Sequence, residues 1–208
     1  MANRRQDATV IVGGGHAAGS LLTTLLQKKY QQEVVLVGEE PHPPYQRPPL
    51  SKNYLAGDID EESLYLKPRS VYDDAGYQLR LGERAEHIDR DNKTITLSDQ
   101  STLKYGQLVL ATGSRVRHLN AQGADLKGLH YLHDMADSDA LREQFVPGKS
   151  LVIVGGDGGH LQADVSAAND LPTFPLDALF PKCIRGTPVA QICQVFPCVP
   201  LLGSLSST

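Results

Sequence analysis

The most constraining stretch of this chain is Val10-Ile11-Val12-Gly13-Gly14-Gly15-His16-Ala17-Ala18, where a β-branched apolar run stops at three consecutive glycines. The run predicts a buried strand over 8–12, and the small and leucine residues that follow at helical spacing predict a helix over 16–30. A second buried strand is expected over 33–37. Together they form a β-turn-α-β unit, the entry to a parallel sheet with right-handed crossovers. Gly13 permits the tight turn, Gly15 lets backbone N–H groups approach a pyrophosphate, and Ala18 keeps the helix close to the sheet. The helix N-terminus adds about half a positive charge facing the phosphates. Glu39, just past the second strand, is placed to bond a ribose 2′-hydroxyl. The plainer alternative is a glycine-rich turn with Glu39 and Glu40 solvated. The motif alone does not separate NAD from FAD.

Further along, residues 41–49 hold five prolines, which fix φ and bias their predecessors out of the α region, so the segment is expected to be extended. Short strands are expected over 77–81, 85–88, 94–97 and 102–104, separated by turn residues such as Asp91-Asn92 and Asp99-Gln100. They suggest a small antiparallel meander inserted in the parallel sheet. A core strand returns over 108–111 and ends in Thr112-Gly113; a helix is expected over 137–145, Pro147-Gly148 is a turn, and a buried strand over 151–154 enters Gly155-Gly156.

Composition excludes several classes of function. With 40% apolar residues, 21% charged residues and a net charge of −4, the chain reads as a soluble globular protein with no electrostatic bias towards nucleic acid. No apolar run approaches the roughly 18 residues that cross a bilayer, and no signal-peptide core follows the arginines at the start, so a cytoplasmic address without membrane contact is the expectation. Cys183, Cys193 and Cys198 form neither a Cys-x-x-Cys pair nor an even set, and His130 with His133 is the only close histidine spacing, supported by Asp134 alone. No metal site is expected. There is no G-x-S-x-G nucleophile turn and no basic stripe interleaved with aromatics.

The segment Pro44-Tyr45-Gln46-Arg47-Pro48-Pro49-Leu50-Ser51-Lys52, with Tyr54-Leu55 and Ser63-Leu64-Tyr65-Leu66 after it, resembles the FAD-dependent, NAD(P)H-oxidising reductases that serve ferredoxin, rubredoxin and related iron-sulfur partners. Leu108-Val109-Leu110-Ala111-Thr112-Gly113-Ser114 resembles their second flavin-contact motif. Within that family the reductase components of ring-hydroxylating dioxygenases look closest, and the likeness runs from about residue 8 to 156. It implies a Rossmann-like α/β domain for FAD, a parallel sheet with an inserted antiparallel meander, over residues 7–118. A connection and the start of a second nucleotide-binding domain would follow over 119–156. Electrons would pass from NAD(P)H through FAD to a ferredoxin- or rubredoxin-type protein.

The resemblance also assigns residues. Gly13, Gly15, His16, Ala17 and Ala18 fall where the FAD diphosphate is cradled, and Glu39 matches the acid on the adenosine ribose. Arg47 stands in the proline-rich loop, where a guanidinium could pair with phosphate. Lys52 matches the catalytic lysine near the flavin ring, whose charge favours a reduced, anionic flavin. Ala85 matches a backbone contact to the adenine, while Ala111, Thr112 and Gly113 line the flavin side. Gly155 and Gly156 match the opening of the nicotinamide site.

Two departures stand against the family pattern. His133 occupies a position where relatives with a Tyr-Leu-Arg-Thr-like stretch carry a cofactor-contacting arginine. Beyond Gly156 the chain reads Asp157-Gly158-Gly159-His160-Leu161-Gln162-Ala163-Asp164, which keeps glycines but loses the G-x-G-x-x-G register, and no glutamate follows Glu143. A helix over 160–169 would be broken by Pro172 and Pro175. Residues 157–208 hold four Asp, one Lys, one Arg and six prolines, but no tyrosine. From this change we expect a frameshifted or otherwise aberrant coding end, a poorly packed tail and no working nicotinamide site. The chain is then either a reductase by ancestry or a non-catalytic FAD-binding fragment. An NAD-binding module with an unrelated role is a third reading, which the Pro44 to Lys52 segment argues against.

Overall fold

The computed structural model describes residues 8–118, 124, 128–145 and the strand backbones at 151–154 and 194–197. Two compact units emerge from the contacts: residues 1–47 with 60–114, and residues 48–59 with 115–208.

The first unit is built on a four-stranded parallel sheet. β1 (Thr9–Val12) leads through α1 (His16–Gln27) to β2 (Val34–Gly38), α3 (Arg69–Asp74) precedes β3 (Gln78–Leu81), and β7 (Gln107–Leu110) returns beside β1. The order is β3-β2-β1-β7, with Val10 opposite Val35 and Leu108, and Leu36 opposite Leu79. This is the Rossmann-like arrangement the sequence implied. β1 and β2 are buried at every position, because both faces of the sheet are covered. On one face Ile11, Val34 and Leu36 pack with Ala18 and Leu22 of α1, Tyr72 of α3 and Leu79. On the other, Val10, Val12, Val35 and Val37 pack with Ile95, Leu97 and Tyr105. That second layer is the antiparallel meander β4 (Ala85–Asp89), β5 (Thr94–Leu97) and β6 (Thr102–Lys104).

Local differences from the sequence reading have physical causes. Of the four short strands expected in the meander, the first, β3, belongs to the parallel sheet, because α3 ahead of it makes a crossover from β2 possible. α1 stops at Gln27 rather than continuing to Tyr30, since Lys29 turns into the left-handed region at φ 51° and the Tyr30 hydroxyl bonds the Thr9 hydroxyl. Tyr72 lies wholly buried in the core, and its hydroxyl has no hydrogen-bond partner among the described residues.

The second unit contains the segment 48–59, a three-stranded sheet and α4 (Met135–Arg142). The proline-rich segment is not extended to its end. Pro48–Ser51 is a turn of 3₁₀ helix followed by α2 (Asn53–Ala56), since prolines are tolerated where a helix begins. α4 starts two residues earlier than expected because Asp134 caps it. The Asp134 carboxylate accepts the Asp137 N–H, and the Asp137 carboxylate accepts the Asp134 N–H. In the sheet, β10 (Gln194–Pro197) lies antiparallel between β8 (His130–Tyr131) and β9 (Leu151–Val154). The strand over 151–154 was expected; Gln194–Pro197 was not, since four residues ending in proline carry little strand signal. The expected helix over 160–169 lies outside the described residues.

Candidate functional site

The glycine turn sits at the carboxyl ends of the parallel strands. The chain leaves β1 to β2 on one side and finds β7 on the other, so the order reverses at β1, where open parallel sheets form their binding crevice. Gly13 adopts φ +112°, and a Cβ built there would stand 2.2 Å from the Ala111 carbonyl oxygen and 2.9 Å from the Thr112 nitrogen. No side chain fits between the two strand ends. Gly13 donates to the Val37 carbonyl at 2.8 Å and Ala111 to the Val12 carbonyl at 2.8 Å, which locks the turn across three strands. Gly14 lies against Gly38, with an added Cβ 3.7 Å from the Gly38 Cα.

Gly15 is different. It is the N-cap of α1, an added Cβ would meet nothing within 4 Å, no side chain caps the helix, and no acidic residue lies in its first turn. His16 and Ala17 are exposed, whereas Ala18 is fully buried against the sheet. The helix thus presents uncapped N–H groups and its positive end to open space, and these residues fit a pyrophosphate.

The neighbouring strand ends complete the rim. The Gly38 carbonyl accepts the Glu83 N–H at 2.9 Å, and the Glu40 carbonyl accepts the Gly82 N–H at 3.0 Å. The loop leading into Ala85, which pairs with Leu97, is therefore stitched to the end of β2. Between these bonds Glu39 is exposed, with the Arg84 guanidinium 3.5 Å away. Glu40 is committed instead: its carboxylate accepts from the Tyr45 hydroxyl and from Arg47, whose guanidinium lies 5.3 Å from the Tyr45 ring centre. Arg47, whose guanidinium the resemblance made available to a phosphate, is ion-paired to Glu40 in this structure. Thr112 and Gly113 are exposed past β7, Gly113 at φ +67°.

Gly19 went unnoticed in the sequence. A Cβ there would meet the Leu66 side chain at 2.3 Å and Pro44 at 2.8 Å, so glycine lets the proline-rich strap lie against α1. The strap is held further by His42 on Glu61 at 2.8 Å, by Tyr65 on the same carboxylate, and by the Tyr45 to Tyr65 bridge. The signal available was a glycine directly after Ala17-Ala18.

Lys52 belongs to the second unit and is exposed. Its N–H donates to the Pro49 carbonyl at 2.9 Å, and its carbonyl accepts the Ala56 N–H at 2.9 Å. Also in this unit, His133 donates its backbone N–H to Asp137 at 2.8 Å. Burial holds the Asp137 carboxyl above the usual aspartate range, against the lowering effect of that bond. Gly155 and Gly156 lie outside the described residues. Among the described residues no group of three His, Cys, Asp or Glu could hold a metal ion, and no helix is long and apolar enough to cross a membrane.

The chain is similar to known proteins. Rhodocoxin reductase of Rhodococcus erythropolis is 44% identical over 133 residues, which cover 64% of this chain and 31% of that protein. The ferredoxin–NAD(+) reductase component of the biphenyl dioxygenase system of Paraburkholderia xenovorans is 43% identical over 126 residues, 58% of this chain and 29% of that one. Among solved structures, the covalent putidaredoxin reductase–putidaredoxin complex aligns with a TM-score of 0.64 at 36% identity, covering 69% of this chain and 35% of its own. The chain spans about a third of the length of the curated relatives it matches. A family model described as pyridine nucleotide-disulphide oxidoreductase matches residues 7–158, and the chain belongs to that family.

Proposed function

We propose that this chain binds FAD and carries the flavin half of a reductase that passes electrons from NAD(P)H to a ferredoxin- or rubredoxin-type protein. The observation that carries the reading is the junction of Gly13 with Ala111 beside the uncapped start of α1, a cradle of backbone N–H groups that admits a diphosphate and no side chain. The relatives' names, ferredoxin reductases and rhodocoxin reductase among them, support the choice of flavin chemistry over plain NAD binding. Bound FAD would accept a hydride from the nicotinamide and release electrons one at a time. Gly13, Gly15, His16, Ala17 and Ala18 would hold its diphosphate, and Glu39 the adenosine ribose. Ala85 would contact the adenine through its backbone. Ala111, Thr112 and Gly113 would border the flavin side, and the Lys52 ammonium would favour the reduced, anionic ring. Arg47, paired with Glu40 through one guanidinium nitrogen, would be the cation offered to a phosphate.

A second reading is flavin binding without NAD(P)H turnover. It is favoured by residues 155–164, where Gly155-Gly156 is followed by Asp157-Gly158-Gly159 outside the G-x-G-x-x-G register, and by the lack of any glutamate after Glu143. The test is to purify the 208-residue chain, record its visible spectrum and add NADH or NADPH with an artificial electron acceptor. A flavin spectrum with dye reduction supports the reductase, a flavin spectrum without it the second reading. A colourless protein that takes up no FAD overturns both.

A further inference from the structure

The acids and arginines around the end of β2 are not spent alike. Glu40 is taken by Tyr45 and Arg47, and Glu83 by Arg80, whose guanidinium also lies 3.4 Å from Asp99. Glu39 and Arg84 have only each other among the described residues. The Arg84 guanidinium stands 3.5 Å from the Glu39 carboxylate, and the two side chains are 47% and 67% exposed respectively. So open a pair adds little to stability, and folding gives no strong reason for an arginine at this place.

The backbone beneath the pair is nevertheless fixed. Gly38, just before Glu39, lies against Gly14 of the glycine turn, and the bonds from Glu83 to Gly38 and from Gly82 to Glu40 close on either side of Glu39. Arg84 donates its N–H to the Ser98 hydroxyl at 3.2 Å, and its carbonyl accepts the Ser98 N–H at 2.8 Å. All of these residues belong to the same unit as the turn. The flavin reading gives Glu39 to the ribose and Ala85 to the adenine, and Arg84 pairs with the first and immediately precedes the second. A carboxylate accepts hydrogen bonds from ribose hydroxyls, whereas a guanidinium near the 2′ position is what admits a 2′-phosphate. In the pair each group limits the other. Arg84 restrains the Glu39 carboxylate, and Glu39 cancels the charge that a 2′-phosphate would seek.

We propose that Arg84 is a specificity-determining residue for the adenosine end of the dinucleotide: it holds the Glu39 carboxylate for a ribose with a free 2′-hydroxyl and is itself masked by Glu39 from a 2′-phosphate. The inference rests on the flavin reading above and deepens it. Loss of either side chain changes which ribose the site takes and leaves the backbone cradle at Gly13 and Gly15 in place.

The test measures binding of ADP and of 2′-phosphorylated ADP to the flavin-free 208-residue chain by calorimetry at low ionic strength, with FAD uptake recorded alongside. The proteins compared are the wild type, Arg84→Gln, Glu39→Ala, and Glu39→Ala combined with Arg84→Gln or with Arg84→Lys. The wild type is expected to prefer ADP. Arg84→Gln is expected to weaken ADP about two- to fivefold, the range of an exposed ion pair. Glu39→Ala is expected to weaken ADP and to tighten the 2′-phosphorylated ligand roughly tenfold, because the unmasked guanidinium gains a charge-assisted bond. Adding Arg84→Gln should abolish that gain, and Arg84→Lys should keep part of it. Both positions are exposed, so all the variants are expected to unfold at the wild-type temperature. Equal losses of both ligands in Glu39→Ala, or unchanged ADP binding in Arg84→Gln, would overturn the inference, and FAD uptake by the wild type would then leave the flavin reading standing. A wild type that binds neither FAD nor ADP would overturn the flavin reading, and this inference with it.

Discussion

The two units hold their candidate residues by opposite means. At the carboxyl edge of the parallel sheet, backbone meets backbone: Gly13 against Ala111, Gly14 against Gly38, and Glu83 bonded to Gly38. Around Lys52, side chains from a distant helix reach across to carbonyl groups of the loop. A site made of backbone has no freedom to absorb an extra atom, yet it is indifferent to most side chains around it. A site held by side chains tolerates small changes of backbone but depends on particular donors. The first kind of site suits a diphosphate, which needs N–H groups at close range.

The largest effect expected from this contrast is at Gly13. Gly13→Ala places a methyl against the Ala111 carbonyl at a positive φ, and should cost about 3 kcal/mol or more of stability in urea unfolding and abolish flavin uptake. A variant that kept both would break the backbone side of the comparison. Ser138→Ala leaves the Leu50 carbonyl without this donor and should cost about 1–3 kcal/mol. Faster amide exchange is expected over 48–57 and not in β1 or β2. Asp134→Ala removes the cap of α4 and should cost about 1 kcal/mol, with exchange rising in the first turn of that helix.

The smallest effect is with pH, and it has opposite signs in the two units. In the first, Asp89 and Asp99 lie below the ordinary aspartate range, held there by hydrogen bonds from Asn92 and Ser101 respectively. Their contribution is complete above the unfolded value, about pH 4, and is lost as pH falls through their lowered values. In the second, burial raises Asp137, so the penalty on its charged form is relieved as pH falls through its raised value, before the other two begin to protonate. Carboxyl carbon shifts followed by NMR should titrate in the order Asp137, then Asp89 and Asp99. The reverse order would remove this distinction.

The legibility of the two units differs for the same reason. The turn from Gly13 to Ala18 was readable because a local sequence dictates a local backbone, and the register of β1 with β2 follows from two apolar runs and a connecting helix. The order of Glu39 and Glu40 was readable, but not that Glu40 is taken by Tyr45 and Arg47, which depends on where the strap lies. The strand 78–81 was visible as a strand, while its membership of the parallel sheet depended on α3 as a crossover. The early start of α4 was within reach, since Asp134 and Asp137 stand at capping-box spacing. The contacts of Ser138 and Arg142 with 50–55 carried no signal at all, because nothing local marks a hydroxyl or guanidinium for a carbonyl some 88 residues away.

By itself the sequence determined the glycine turn, its strand-turn-helix setting and the likeness to flavin reductases, because these follow from glycine's missing side chain, short-range periodicity and the motifs after them. Only the tertiary structure decided which acid is exposed at the end of β2, which glycines face backbone and which face open space, and what holds the loop of Lys52. Those outcomes rest on contacts between segments far apart in the chain, where geometry rather than residue type selects the partner.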